Sequence, residues 1–275
     1  MKEKHIILIL KTIGAVSLAL FCLFPFAWMI IISLSGNADF LTEGDLQFTF
    51  KNYFEVITYE SAHLLDYLRN SLVISLTASV SATLFAGLSA YSVSRLKFKG
   101  RILIPLLLLG ISMFPQISIV GYLFEMMVNF GWINTYPALI FPYITLTLPL
   151  ALWIMISYFE QVTKELDEAA LADGATRLQV FYKIIIPVSL PGLATSFILS
   201  FIFCFNEFLF SLMLTIDHNA RTIPVGIALF EGLHGQVPWG QIMASSVIAI
   251  IPVLFLIAFF QRYIIGGLTR GSVKG

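Results

Sequence analysis

Two groups of residues in this chain have types and spacings that can do work. In the first, Glu168 precedes Ala169 and Ala170, and Gly174 follows four residues later. Two minimal side chains leave a helix tip that another surface can approach to backbone distance. The carboxylate beside them can accept a charge-assisted hydrogen bond from an arginine on that surface. Gly174 supplies the positive φ that ends such a helix, and Ile184 and Pro187 lie on the next one. In the second group, Asn206 and Glu207 sit inside an apolar run, and Gln116 sits beside Pro115 in another. A charge at mid-bilayer costs about 2.5–3.5 kcal/mol on insertion scales, so polar residues placed there face a bundle interior or a water-filled path. Catalytic patterns are missing. The sequence has no GxxxxGK[ST], HExxH or GxSxG, and its two cysteines, Cys22 and Cys204, have no CxxC or metal-ligand spacing. The expectation is a chain with no catalytic, cofactor-binding or metal-ligating residue.

The elements that must position these residues are membrane helices. Of 275 residues, 58% are hydrophobic and 12% charged, and the mean hydropathy is +0.90. Soluble domains carry roughly twice that charge, so the surrounding solvent is mostly lipid. Equal numbers of acidic and basic residues, 16 of each, give no reason to expect nucleic acid. Six stretches are long enough to cross a bilayer: 6–34, 70–94, 102–128, 136–158, 192–216 and 242–265. The first is too long for the 7–15-residue apolar core of a secretory leader. With no internal repeat, one six-helix membrane domain over residues 1–275 is the simplest organisation.

Lysine and arginine counts set the expected orientation. One side holds only Lys51, Arg69 and Arg221; the other thirteen basic residues, among them Arg95, Lys97, Lys99, Arg101, Lys164, Arg177 and Lys183, lie on the opposite side. Both termini and the Glu168 segment are therefore expected in the cytoplasm.

Between residues 160 and 190 the apolar pattern gives way to a helix-loop-helix. Lys164 to Ala172 are good helix formers, with Thr163 placed to cap their start. Leu166, Ala169, Ala170 and Asp173 share one face, and Glu165 and Glu168 a wetter one. Thr176-Arg177-Leu178-Gln179 has the form of a capping box and opens the second helix. Phe181, Ile184 and Ile185 give that helix an apolar side, and Pro187 and Pro191 end it. Two readings are open from these residues: a knob that docks on a partner, or a hairpin lying on its own membrane surface.

Glu168-Ala169-Ala170, then Gly174, then Ile184-Ile185-Ile186-Pro187 resembles the motif of permease subunits of ATP-binding-cassette (ABC) importers. It departs from the usual pattern only in Ile186 for leucine and in Thr163 where proline is common. Tyr91 to Arg101, Asn134-Thr135-Tyr136, Asn206-Glu207-Phe208, Arg221-Thr222-Ile223-Pro224 and the ending Gly267 to Gly275 are similar to the maltose-type sugar permeases. The resemblance implies an all-α integral membrane protein of the type I importer permease fold, with six transmembrane helices and a cytoplasmic coupling element. It implies a second homologous permease, two ATPase subunits that bind ATP and Mg, and an extracytoplasmic sugar-binding protein. Glu168, Ala169, Ala170, Gly174, Ile184 and Pro187 would then meet the ATPase, and the solute would be a di- or oligosaccharide. A glycerol phosphate is the alternative cargo, and a secondary transporter the alternative mechanism.

Several readings stay open. Asn206, Glu207 and Gln116 line the transport path or its gate, or Glu207 is a structural hydrogen-bond partner for the other permease. The outer loop from Asp217 to Trp239 engages the binding protein or is a lipid-facing connector. The segment from Gly267 to Gly275 reaches the ATPase interface or is a disordered end. Against a secondary transporter stand the missing repeat of one half by the other and the docking knob, which such a carrier does not need.

Overall fold

The computed structural model describes residues 2–36, 48–59, 62–230 and 237–270. In chain order its helices are α1 (Lys2–Ser33), α2 (Lys51–Thr58), α3 (Leu64–Arg95), α4 (Leu103–Ser112), α5 (Gln116–Asn129), α6 (Tyr136–Gln161), α7 (Lys164–Ala172), α8 (Arg177–Val188), α9 (Leu190–Asn206), α10 (Leu209–Leu214), α11 (Ile223–Ala228) and α12 (Trp239–Arg270). Four of them, α1, α3, α6 and α12, are each long and apolar enough to cross a bilayer unbroken. Two bent pairs, α4–α5 and α8–α9, bring the number of candidate spans to as many as six.

The third and fifth spans are not the continuous helices expected from hydropathy. Helices α4 and α5 meet at 92°. Pro115 caps α5 with an extended ψ of 123°; having no N–H, it also cannot carry α4's ladder onward. Proline alone does not decide this, because Pro142 and Pro149 lie inside an unbroken α6. The fifth stretch divides at Glu207 and Phe208 into α9 and α10. The turn between α8 and α9 is 76°. Helix α8 widens to π geometry over Phe181–Ile185 and ends at Val188, between Pro187 and Pro191. The π turn precedes the residue whose missing N–H would leave a carbonyl unpaired, the common setting for such a bulge.

Contacts divide the chain into two compact units, Met1–Leu64 with Ile227–Ile251, and Leu65–Gly226 with Pro252–Gly275. In the first unit the chain after α1 is tied down by Asn52, whose Nδ2 donates to the carbonyls of Ser33 (2.9 Å) and Ser35 (2.8 Å). Gly240 lies against this amide; a Cβ there would stand 2.6 Å from Asn52 Nδ2. Gln241 of α12 donates to Glu55 of α2 at 2.6 Å.

The second unit has two apolar cores along α6. One joins Ile74 and Ala78 of α3, Val120 and Met127 of α5, Leu139 and Tyr143 of α6, Cys204 of α9, and Phe210 and Leu214 of α10. The other joins Ala86, Ala90, Leu152, Met155 and Phe159 to Val180, Phe181 and Ile185 of α8. Helix α3 turns a row of small residues inward, Ala78, Ala82, Ala86 and Ala90, all fully buried. Their four-residue spacing keeps them on one face, and small side chains allow the close helix packing that replaces hydrophobic drive in lipid. Helices α6 and α9 approach in the same way, with Gly192 directly against the Tyr158 ring.

Candidate functional site

The helix-loop-helix forms a knob at the end of α6. Helix α7 ends at Ala172 with Asp173 as its cap, and Gly174 takes φ +85°. The amide of Ala175 reaches back to the carbonyl of Ala170 and that of Gly174 to Leu171, which closes the helix as a Schellman motif. The capping box expected at Thr176 is present: the Thr176 hydroxyl accepts from the Gln179 amide at 3.3 Å, and the Gln179 side chain accepts from the Thr176 amide at 2.7 Å. Thr163 occupies the cap position of α7, but its side chain makes no cap bond. Glu168, Ala169, Gly174 and Pro187 are exposed, while Ala170 and Ile184 are half-buried.

The face of α7 that turns inward is not the one the spacing suggested. Leu166 is 45% exposed, and Ala169 and Asp173 are exposed with it. The buried residue of α7 is Asp167. Its Oδ2 lies 2.8 Å from Nε of Arg95, the last residue of α3, with only 4% of the arginine side chain and 11% of the aspartate exposed. The contact is an ion pair rather than an aligned hydrogen bond. Burial pushes the Asp167 carboxyl above its usual value; Arg95 pulls it back, and Glu168 pushes it further up. Arg95 also donates through Nη2 to the carbonyl of Val162, between α6 and α7, at 2.7 Å. One turn earlier on α3, the Tyr91 hydroxyl donates to the Arg177 carbonyl at 3.4 Å, and its ring sits 5.1 Å from that of Phe181. Beside Arg95 opens a cleft of about 650 Å³ lined by Arg101, Glu160, Lys164 and Glu165 among others. Arg95 and Asp167 were not singled out in the sequence. The available signal was an arginine ending a span and an acid three residues before a half-buried alanine.

The intramembrane polar residues separate. Glu207 is 6% exposed and acts at the break between α9 and α10. Its carboxyl accepts from the amides of Phe210 (2.9 Å) and Ser211 (3.2 Å), capping α10, and from the Tyr143 hydroxyl of α6 (2.7 Å). These hydrogen-bond partners all belong to its own chain. Asn206 is exposed, its amide bonded to the Ile202 carbonyl at 2.8 Å. Gln116 opens α5 and is half-buried.

At the other end of α6, the strings around Asn134 and Arg221 meet. Asn134, at φ +62°, donates to Asp217 at 2.7 Å and accepts from the amide of Ile216 at 3.0 Å. Donation from Asn134 and from the Asn219 amide holds the Asp217 carboxyl below its ordinary value. Asn70 bonds the carbonyls of His218 and Arg221 and accepts from Tyr136 at 2.6 Å. Ser71 accepts from the Ile223 amide at 2.7 Å, and the Thr222 and Ser211 hydroxyls are 2.7 Å apart. The loop after Phe230 includes Gly232 and Gly235, which lie outside the described residues. So do Asp39, Glu43, Asp45 and Glu60 of the first outer loop, and the tail from Gly271.

Residues 79–270 match the family described as binding-protein-dependent transport system inner membrane component. The chain is 50% identical over 277 residues, covering all of both sequences, to the trehalose/maltose transport system permease protein MalG of Thermococcus litoralis. It is 40% identical to the trehalose transport system permease protein SugB of Mycobacterium tuberculosis, with 93% of each chain covered. A crystal structure of a bacterial ABC transporter that imports the acidic polysaccharide alginate contains a chain of the same fold, with a TM-score of 0.79 at 20% identity, covering 96% of this chain and 98% of that one. The helices, the EAA–Gly174 knob and the full-length matches agree: this multi-pass membrane chain belongs to the family of binding-protein-dependent transport system inner membrane components.

Proposed function

We propose that the chain is the transmembrane subunit of an ATP-driven importer that receives a di- or oligosaccharide from an extracytoplasmic binding protein. The full-length 50% identity to a trehalose/maltose permease carries the cargo reading. The knob carries the mechanism: an ordered, polar projection with Glu168, Ala169 and Gly174 exposed at its tip, on a chain that has no nucleotide-binding loop of its own. ATP and Mg belong to two ATPase subunits, and a second homologous permease completes the membrane path. Glu168 accepts a bond from a basic residue of the ATPase, Ala169, Ala170 and Gly174 allow close approach, and Ile184 and Pro187 of α8 meet the same partner. ATPase closure moves the knob, and the knob moves the spans. Asn206 and Gln116, neither of them buried, are offered to the solute path, and Glu207 holds the break beside it.

The test is uptake of labelled trehalose and maltose by the chain reconstituted with its ATPase, second permease and binding protein. ATP-dependent uptake is expected, and Glu168→Lys or Gly174→Trp is expected to abolish it with the subunit still in the membrane. Near-normal uptake by both variants would remove the coupling role, and uptake without the ATPase would remove the mechanism.

A further inference from the structure

Helix α7 carries the exposed tip of the knob, yet it has little apolar anchorage. Among its described residues only Asp167 is buried, and Ala170 is half-buried. Helix α8 is different, since Val180, Phe181 and Ile185 set it into the core. A nine-residue helix is not stable by itself, so its place relative to the spans must be fixed by its few tertiary bonds. The one made by a buried α7 side chain is the Arg95–Asp167 pair at 2.8 Å. Arg95 also holds the Val162 carbonyl, so one guanidinium joins the end of α3, the joint between α6 and α7, and α7 itself. Arginine suits this, because its extended guanidinium can donate through Nη2 to the Val162 carbonyl while its charge pairs with Asp167.

Resting on the proposed importer mechanism, we infer that Arg95 and Asp167 are a positioning pair: a strut through which displacement of α7 is delivered to α3. Neither residue needs to touch the ATPase or the solute. Tyr91, one turn away, steadies α8 on the same face of α3, so the last turn of α3 grips both halves of the knob. Without the strut, α7 can follow the ATPase while α3 does not, and ATP is hydrolysed without import.

The readout is sugar imported per ATP hydrolysed by the reconstituted complex, together with the amount of complex assembled. Arg95→Met and Asp167→Asn are each expected to lower that ratio about tenfold, within the 5- to 150-fold range of ordinary site-to-site coupling. The swap Arg95→Asp with Asp167→Arg is expected to regain much of it. Single variants leave one buried charge unpaired and risk misfolding. The double variant Arg95→Met with Asp167→Leu removes both charges, a change that often preserves or improves stability. This double variant is expected to assemble, hydrolyse ATP and import poorly. Import per ATP at the wild-type ratio in the double variant would overturn the strut, as would a swap no better than the single changes. Absence of ATP-driven uptake in the unaltered complex would instead remove the importer mechanism itself.

Discussion

Glu207 illustrates how a polar residue inside a span can serve the fold. Its carboxyl meets two amides at the start of α10 and the hydroxyl of Tyr143. Removing it strands three donors, whereas removing the hydroxyl leaves the carboxyl bonded to both amides. Tyr143→Phe is therefore expected to cost about 1 kcal/mol, the usual net value of one hydrogen bond. Glu207→Ala is expected to cost about 3 kcal/mol or more, since each stranded buried donor costs about 1–3 kcal/mol. Thermal unfolding of the purified protein checks this: equal shifts for the two variants would mean that Glu207 is not the hub. The sequence marks Glu207 as needing a partner but cannot name it, because Tyr143 lies 64 positions away. Arg95 and Asp167 are hidden for the same reason. Arg95 reads as one more basic residue of a charged segment, and Asp167 as one more wet acid. Only packing shows that each is the other's counter-ion.

Local chemistry and long-range chemistry divide the elements in the same way. The end of α7 and the start of α8 follow from Gly174, Thr176 and Gln179, residues that act within a few positions, and so were legible. The breaks at Pro115 and at Glu207 were not, because residue type alone does not mark where a helix parts: Pro142 and Pro149 lie inside the unbroken α6. Close approach of helices is likewise written in glycines whose neighbours are remote. Gly192 of α9 lies on the Tyr158 ring of α6, so Gly192→Ala is expected to destabilise by about 1–3 kcal/mol through overpacking. Gly121, inside α5, has open space around it; Gly121→Ala is expected to be neutral or to gain up to about 1 kcal/mol of helix propensity. Melting temperatures of opposite tendency are the expected result. A Gly192→Ala variant as stable as the parent would mean that α6 and α9 do not need this contact.

Across the whole molecule, what faces outward is governed by lipid and partners rather than water. Helix α1 exposes Ile9, Leu10, Phe21 and Phe24, each by more than half, and α12 exposes Leu254, Phe255 and Phe259 likewise. Apolar exposure gives no direction across the bilayer; charge does. Arg95, Lys97, Lys99, Arg101, Lys164 and Arg177 gather where α3 ends and the knob begins, against Arg69 near the start of α3 and Arg221, whose carbonyl accepts from Asn70 there. Basic residues are retained on the cytoplasmic side, so the knob is expected inside and the Asn134–Asp217 network outside. Cysteine labelling decides it. Cys22 is exposed and Cys204 buried, so the parent is Cys22→Ser, and Asp173→Cys and Asn219→Cys are made in it. In intact cells a membrane-impermeant maleimide is expected to label position 219 and to reach position 173 only after permeabilisation. Labelling of position 173 in intact cells, with 219 protected, would invert the topology and put the knob out of reach of any ATP-consuming partner in the cytoplasm.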